Sequence, residues 1–198
     1  MTQPVERRPN LILASASPRR RSLLEGLGLE FRVIPPDFDE EGVSGQAPDD
    51  LVAALARGKA LAVAKNNPGA LVIGADTVVV LGGEILGKPK DAADAASMLK
   101  RLSGNTHTVK TGVCIARGRD ALQLSAVEST EVTFGMLSEE LIQRYVATGE
   151  PLDKAGAYGI QEIGATLVCR VNGCYFNVVG LPLFRLARML ESVGVHVP

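Results

Sequence analysis

The residues best suited to chemistry begin with the segment SASPRRR, residues 15–21, which follows a short apolar stretch. Ser17 is suited to cap a helix and Pro18 to occupy its first turn. The free amides of such a helix start bind phosphate, and the guanidinium groups of Arg19 and Arg20 would add charge-assisted hydrogen bonds. Ser17, Arg19 and Arg20 are therefore candidates to bind an anion, although a capped helix with solvated arginines explains the segment equally well. Three consecutive arginines cannot all face one ligand, so at least one should lie on the surface.

A second signal is a carboxylate in apolar surroundings. Asp76 lies within ALVIGADTVVVL, residues 70–81, a stretch typical of a central strand that is buried on both faces. Burying a carboxylate is costly unless it is paired or binds a metal, so Asp76 is a candidate catalytic or metal-binding residue. The alternative is an aspartate at a β-bulge, satisfied by backbone amides. Acidic residues at positions 37, 39, 40 and 41 could add oxygen ligands for Mg²⁺, but such clusters are most often solvated loops.

Two lysines and a glutamine complete the set. Lys59 lies beside the apolar stripe of a predicted helix over residues 50–65, where snorkelling to solvent is the ordinary explanation. Lys88 lies in GGEILGKP, which nearly matches a nucleotide-binding phosphate loop. That match fails because Pro89 replaces the hydroxyl residue that would hold Mg²⁺, yet Lys88 can still meet a phosphate as a point charge. Gln161 ends the glycine-containing segment DKAGAYGIQ, and its amide carries both a donor and an acceptor with which to read a base edge.

The elements that would position these residues alternate between strands and helices. A diglycine, Gly82-Gly83, predicts a tight hairpin after the central strand. We predict helices from Ser17 to Gly28, over 50–65, from Asp91 to Gly104, from Ser138 to Gly149 and over 182–191, and strands over 10–15, 31–34, 70–81, 109–116, 122–134, 165–171 and 175–179. Alternating elements that are joined in places by hairpins indicate an α/β fold with a mixed sheet covered by helices.

Composition excludes several classes of function. The net charge of −1 provides no global field to attract nucleic acid or an anionic membrane, so any anion site must be local. Aromatic residues make up 4% of the chain and tryptophan is missing, which argues against base-stacking platforms for single strands. Without a signal-peptide core or a run of about 18 apolar residues, the expected location is the cytoplasm. Two histidines and three cysteines without a CxxC pair argue against zinc sites.

Seven short motifs follow one another along the chain, and the whole set is more informative than any single motif. In chain order they are ASASPRR, LARGKALAVA, GADTVV, GKP, LSGNTHTVKTGV, GEPLDKAGAYGIQ and NVVGLP. This set closely resembles the Maf family of nucleoside triphosphate pyrophosphatases over about residues 11–190. The resemblance implies an elongated mixed β-sheet flanked by helices, with two lobes around a nucleotide-binding cleft (Maf/ITPase-like), often as a homodimer. It also implies a single domain over residues 1–198, with residues 1–9 as a flexible extension.

The resemblance further implies hydrolysis of a nucleoside triphosphate to the monophosphate and pyrophosphate, by water attacking the α-phosphorus with a divalent cation, Mg²⁺ or Mn²⁺. Asp76 matches the family's catalytic carboxylate and Glu40 its second acidic position, so both are the implied metal ligands. Arg19, Lys59 and Lys88 match the basic positions around the triphosphate, and Lys59 is counted among the catalytic residues.

The sequence after DKAG separates branches of the family, and DKAGAYGIQ resembles the branch that prefers dTTP and UTP. Arg19, Thr77 and Gln161 match positions associated with that preference. Two residues depart from the family's pattern: Glu162 stands where glycine is usual, and Gly58 stands where a larger residue is common.

Two alternatives to this function stay open. One is a nucleotide-binding regulator of septum formation for which catalysis is secondary. The other is a purine-clearing pyrophosphatase of similar architecture, which would prefer ITP or XTP.

Overall fold

The computed structural model describes residues 10–40, 42–43 and 47–197. The predicted N-terminal extension, residues 1–9, and Glu41 of the acidic cluster lie outside this part of the chain. The strands are β1 (Leu11–Ala14), β2 (Arg32–Val33), β3 (Leu71–Leu81), β4 (Glu84–Leu86), β5 (Thr106–Arg117), β6 (Leu122–Phe134) and β7 (Val168–Asn172). The α-helices are α1 (Pro18–Glu25), α2 (Pro48–Ala64), α3 (Ala92–Leu102), α4 (Glu139–Ala147), α5 (Tyr175–Val179) and α6 (Leu183–Ser192).

All seven strands form one mixed sheet, which confirms the predicted fold class. Its order is β2-β1-β3-β5-β6-β7, with β4 paired to the end of β3. The strands β2, β1 and β3 are parallel, whereas β3, β5, β6 and β7 pair antiparallel. The predicted hairpin joins β3 to β4, where Gly82 and Gly83 adopt φ values of +59° and +87°. This sheet makes β3 the central strand, with β1 on one side and β5 on the other.

The hydrophobic core divides along β3. Its first half contributes Leu71, Ile73 and Ala75 to a cluster with α6, while Val72 packs on the opposite face with α2. Val79 belongs instead to a cluster with α3 and α4. One cluster ends at Ala75 and the next begins at Val79, which divides the protein into two lobes. The lobes therefore meet beside Asp76 and Thr77, the polar residues of β3.

Helix α2 lies directly on the sheet because two glycines leave room for its backbone. A Cβ at Gly74 of β3 would lie 2.3 Å from the carbonyl oxygen of Ala56, and one at Gly112 of β5 would lie 2.1 Å from that of Val52. Real Cβ atoms do not approach backbone this closely, so a side chain at either position would push the helix off the sheet. The two glycines therefore determine how close α2 comes to β3.

The structure corrects several predicted boundaries and one element type. Residues 175–179 form α5 instead of a strand, although aromatic and β-branched residues favour a strand. The side-chain amide of Asn177 donates to Val109 O and to Thr130 Oγ1, at 2.9 and 3.0 Å, and Gly180 ends the turn with φ +119°. These tertiary hydrogen bonds outweigh local propensity. In addition, residues 165–167 belong to a 3₁₀ turn before β7, and α2 starts at Pro48.

The predicted helix caps are confirmed: the side chains of Ser17, Asp91 and Ser138 each accept from a backbone amide three residues ahead. No helix in the described ranges has both the length and the apolar character needed to cross a bilayer.

Because α2 lies directly on the sheet, replacing Gly112 with alanine should destabilise the protein more than replacing Gly69 with alanine. Gly112→Ala should lower the free energy of unfolding by about 3 kcal/mol, because its methyl group overlaps the backbone of α2. Gly69→Ala is the matched control, since a Cβ there meets nothing within 4 Å. Urea denaturation of both variants checks this. Equal denaturation midpoints would contradict the role assigned to Gly112.

Candidate active site

A cleft of about 730 Å³ opens where the two lobes meet. Its walls come from the start of α1, the middle of β3, the segment after β4 and the loop over residues 153–162. This volume lies in the range of small-molecule sites. All nine predicted site residues line it: Ser17, Arg19, Arg20, Glu40, Lys59, Asp76, Thr77, Lys88 and Gln161. The structure thus brings together residues that are up to 144 positions apart in sequence, from Ser17 to Gln161.

The centre of the cleft is an ion pair between Lys59 of α2 and Asp76 of β3. The Lys59 Nζ lies 2.6 Å from Asp76 Oδ1, and the two side chains are only 10% and 12% exposed. The same Nζ lies 3.0 Å from Oε1 of Glu40, whose side chain is 56% exposed. One ammonium group therefore bridges both predicted carboxylates. Snorkelling is the wrong explanation for Lys59, and a bulge is wrong for Asp76, because β3 pairs with β5 without interruption from Val72 to Val80.

The position of Glu40 depends on a contact with Gly58. The ring of Phe38, two residues before Glu40, lies on α2 so closely that a Cβ at Gly58 would be 2.2 Å from Phe38 Cζ. Glycine at this position gives the ring room to dock. Gly58, one of the two departures noted in the sequence, thus provides the site for an aromatic anchor of the loop that carries Glu40.

The three consecutive arginines have three different environments, as their spacing predicts. Arg20 donates from Nε to Gly180 O, from Nη1 to Ala75 O and from Nη2 to Thr77 Oγ1, at 2.8, 2.9 and 3.0 Å. Burial lowers the pKa of Arg20 from its ordinary value, and the charge of Asp76 opposes this shift. Arg20 thereby ties three segments of the cleft wall to each other.

Its two neighbours are more exposed. Arg21 points to solvent and pairs with Glu25 at 2.8 Å. Arg19 lies at the rim of the cleft, 3.5 Å from Asp153 Oδ2, with a third of its side chain exposed. Of the three guanidinium groups, that of Arg19 is thus the one placed to reach a ligand in the cleft.

At the start of α1 two amides already have side-chain acceptors, and the Arg19 amide has no hydrogen-bond partner among the described residues. Ser17 Oγ accepts from the Arg20 amide at 3.4 Å, and the Ser17 amide donates to Ser15 Oγ at 3.1 Å. Lys88 also lines the cleft and is exposed, and no hydrogen bond or ion pair joins it to another described residue. The same holds for the amide of Gln161, whose side chain is partly buried in the cleft lining. Both side chains are therefore available to a ligand.

Charged side chains are concentrated in the cleft, although the net charge of the whole chain is only −1. The lining includes five basic side chains (Arg19, Arg20, Lys59, Lys88 and Lys154) and four acidic ones (Glu40, Asp76, Asp153 and Glu162). Three of the acidic groups, Glu40, Asp76 and Asp153, pair with cations at the centre and the rim, whereas Lys88 forms no ion pair with another described residue. The cleft can consequently bind an anion locally.

Asp76 and Glu40 also suit a small hard cation. Their carboxylate oxygens are the donors that Mg²⁺ and Mn²⁺ favour, and Mg²⁺ is commonly held by one or two carboxylates together with substrate phosphates and water. Within the described ranges no group of three or more potential metal-binding side chains occurs. The residues thus fit a cation whose remaining ligands come from a phosphorylated substrate.

Local sequence patterns do not reveal the aromatic group beneath one wall of the cleft, in which Tyr158 lines the cleft and His107 and Phe134 lie outside the lining. The ring of Tyr158 packs edge-on against His107 and Phe134, and its hydroxyl lies 2.7 Å from His107 Nε2. Burial lowers the pKa of His107 to about 4, so the imidazole is neutral at pH 7. The pairing spans 51 positions, and no local signal could have indicated it.

The sheet and the cleft define an α/β protein whose cleft combines two carboxylates, bridged by one lysine, with further basic side chains. A family model described as "Maf-like protein" matches residues 10–193, and the chain belongs to this family. It is 54% identical to a dTTP/UTP pyrophosphatase of Symbiobacterium thermophilum, over 94% of this chain and 95% of that protein. A dTTP/UTP pyrophosphatase of Anaeromyxobacter dehalogenans is also 54% identical, over 96% and 97%. A HAM1 protein of known structure from Coxiella burnetii is 18% identical and matches 64% of this chain and 73% of its own, with a TM-score of 0.47.

Because Arg20 and Arg21 have different environments, replacing each with methionine should change the free energy of unfolding by different amounts. Arg20→Met should lower the free energy of unfolding by about 2 kcal/mol, because it leaves acceptors in the cleft wall without a donor. Arg21→Met removes one exposed ion pair and should cost less than about 0.5 kcal/mol. Chemical denaturation of the two variants measures the difference. Equal losses would show that Arg20 does not tie the cleft wall together.

Proposed function

We propose that this protein hydrolyses nucleoside triphosphates, dTTP and UTP above all, to the monophosphate and pyrophosphate. The observation that carries the proposal is the buried Asp76, held by Lys59 in a cleft whose rim presents further cations. The names of relatives about 54% identical over nearly the whole chain support the same activity.

The triphosphate would bind along the basic side of the cleft. Its several negative charges call for fixed dipoles and cations, which the amides of the α1 start and the side chains of Arg19 and Lys88 supply. Charge grows on the leaving pyrophosphate as its bond to the α-phosphorus breaks, and the same cations would stabilise it. This distribution suits phosphoryl transfer, in which positioning and electrostatics provide most of the catalysis.

Asp76 would orient the attacking water. Lys59 holds Oδ1, while Oδ2 makes no hydrogen bond to another described residue. Oδ2 can then accept the proton of a water molecule placed against the α-phosphorus, in the manner of a general base. The water oxygen joins the monophosphate, and the bond between the α-phosphorus and the bridging oxygen breaks to release pyrophosphate.

Asp76 and Glu40 would also hold the divalent cation, Mg²⁺ or Mn²⁺. When bound, such an ion supplies positive charge that shields the phosphates and polarises the reacting oxygen atoms. Lys59 contributes from the protein side, because its ammonium keeps the two carboxylates close to each other. Glu40, which is half exposed, is the carboxylate with more freedom to move towards a ligand.

Gln161 would select the base. In one orientation its amide donates to O4 and accepts from N3–H of thymine or uracil, and an amide held in that orientation meets no matching groups on cytosine, where N4 donates and N3 accepts. Thr77 contributes indirectly, because its hydroxyl is engaged by Arg20 at 3.0 Å and by Thr111 Oγ1 at 2.9 Å. The homodimer, the cytoplasmic location and the role in septum formation remain predictions.

The proposal predicts a large effect of one isosteric substitution. Asp76→Asn keeps a side-chain oxygen for Lys59 but removes the base, so the rate of pyrophosphate release from dTTP and UTP should fall about 10³-fold. The measurement follows pyrophosphate and orthophosphate separately, with Mg²⁺ or Mn²⁺, over a panel that includes CTP, ATP and ITP. Asp120→Asn, on a surface turn outside the cleft, is the control with unchanged rate.

Other outcomes of this panel would redirect the assignment. Release of orthophosphate, or full activity of Asp76→Asn, would contradict the proposed chemistry. A strong preference for ITP would favour the purine-clearing alternative. Binding of nucleotides without turnover of any of them would favour the regulator.

A further inference from the structure

The loop that carries Gln161 is held by a carboxylate that lies outside the cleft lining. Glu150 Oε1 accepts from the Gly164 amide at 3.1 Å, and Oε2 accepts from the Ile163 amide at 3.2 Å. The hydroxyl of Tyr145 donates to the same Oε1 at 2.9 Å. One carboxylate therefore binds two successive backbone amides immediately after Gln161 and Glu162.

Tyr145 connects this carboxylate to the other end of the loop. Its hydroxyl oxygen accepts from the Gly159 amide at 3.2 Å while its proton is donated to Glu150. Tyr145 is only 2% exposed, and burial raises the pKa of its hydroxyl, which keeps the donated proton in place. The two ends of the loop also touch, because a Cβ at Gly164 would lie 2.2 Å from Gly159 O.

The backbone between these anchors is strained. Glu162 adopts φ +56°, a left-handed conformation that costs a residue with a side chain about 1 kcal/mol. Such a conformation persists only where the surroundings over-determine it. The two amides bound by Glu150 directly follow Glu162, so the carboxylate compensates for the strain at this residue.

We propose that Glu150 and Tyr145 form a positioning pair that sets the base preference of the cleft by fixing the loop from Gly159 to Gly164. Neither side chain lines the cleft, so neither touches the substrate, and the pair acts through the placement of the Gln161 amide. This inference rests on the proposed function, because it assigns the pair to discrimination between bases. The hydrolytic step at Asp76 does not depend on it.

The test compares kcat/KM for dTTP with kcat/KM for CTP, at a temperature well below unfolding. Glu150→Ala removes all three hydrogen bonds of the carboxylate, so the ratio of the two values should fall about tenfold. The loss should come mainly from a raised KM for dTTP, with pyrophosphate still the product. Glu150→Gln keeps one side-chain oxygen as acceptor and should recover part of the ratio.

Two further variants separate positioning from a general structural role. Tyr145→Phe keeps the ring in the core but removes the link to Gly159, so its ratio should fall in the same direction as that of Glu150→Ala. Gln143→Ala, an exposed change on the same helix, should leave the ratio unchanged. If Glu150→Ala does not fold, Glu150→Gln and Tyr145→Phe decide the question.

The outcomes distinguish this inference from the proposed function. The positioning role alone is overturned if the wild-type protein prefers dTTP and the Glu150 and Tyr145 variants keep a dTTP-to-CTP ratio of kcat/KM within twofold of wild type. A wild-type protein that hydrolyses no nucleoside triphosphate overturns the proposed function, and this inference fails with it. Variants that lose stability while the ratio is unchanged would show that the pair is merely structural.

Discussion

The structure depends on neutralising one carboxylate in the middle of its central strand. Asp76 is nearly buried, and an isolated charge in that position would cost several kcal/mol. Lys59 offsets this cost only if α2 lies close to the sheet, and that approach requires glycine at both Gly74 and Gly112. The same helix accepts the ring of Phe38 at Gly58 and so brings the acidic loop to the ammonium group. A single electrostatic requirement thereby explains small residues on separate elements.

The cleft combines fixed charge at its centre with movable charge at its rim. Arg20 is partly buried and forms three hydrogen bonds to two other segments, β3 and the turn after α5, and it lies close enough to Asp76 for the carboxylate to affect its pKa. Lys88 is exposed, and Arg19 is one third exposed with only a 3.5 Å contact to Asp153, so both side chains have freedom to close on a ligand. Fixed charges avoid reorganisation during a reaction, and movable charges allow the ligand to enter and leave. The arrangement suits an enzyme that releases a highly charged product.

Local signals in the sequence predicted most of the site and much of the fold. A carboxylate in an apolar strand, a serine-proline helix start and a diglycine turn are each visible within a few residues, and the structure has all three. Contacts between distant segments could not be predicted in this way. Residues 175–179 look like a strand, and only the hydrogen bonds of Asn177 to two other strands make them a helix. Glu150 likewise looks like an ordinary loop residue until its partners around Gly164 are known.

The proposed reaction, attack of water on the α-phosphorus in the cleft around Asp76, can be checked by hydrolysing dTTP in oxygen-18 water with the wild-type protein and with Asp76→Asn, which should incorporate label about 10³-fold more slowly. Mass spectrometry then locates the label in the two products. The account predicts that the label enters thymidine monophosphate and that pyrophosphate carries none, because the bond broken is the one between the α-phosphorus and the bridging oxygen. Label in pyrophosphate or in orthophosphate would place the attack on another phosphorus and contradict the account.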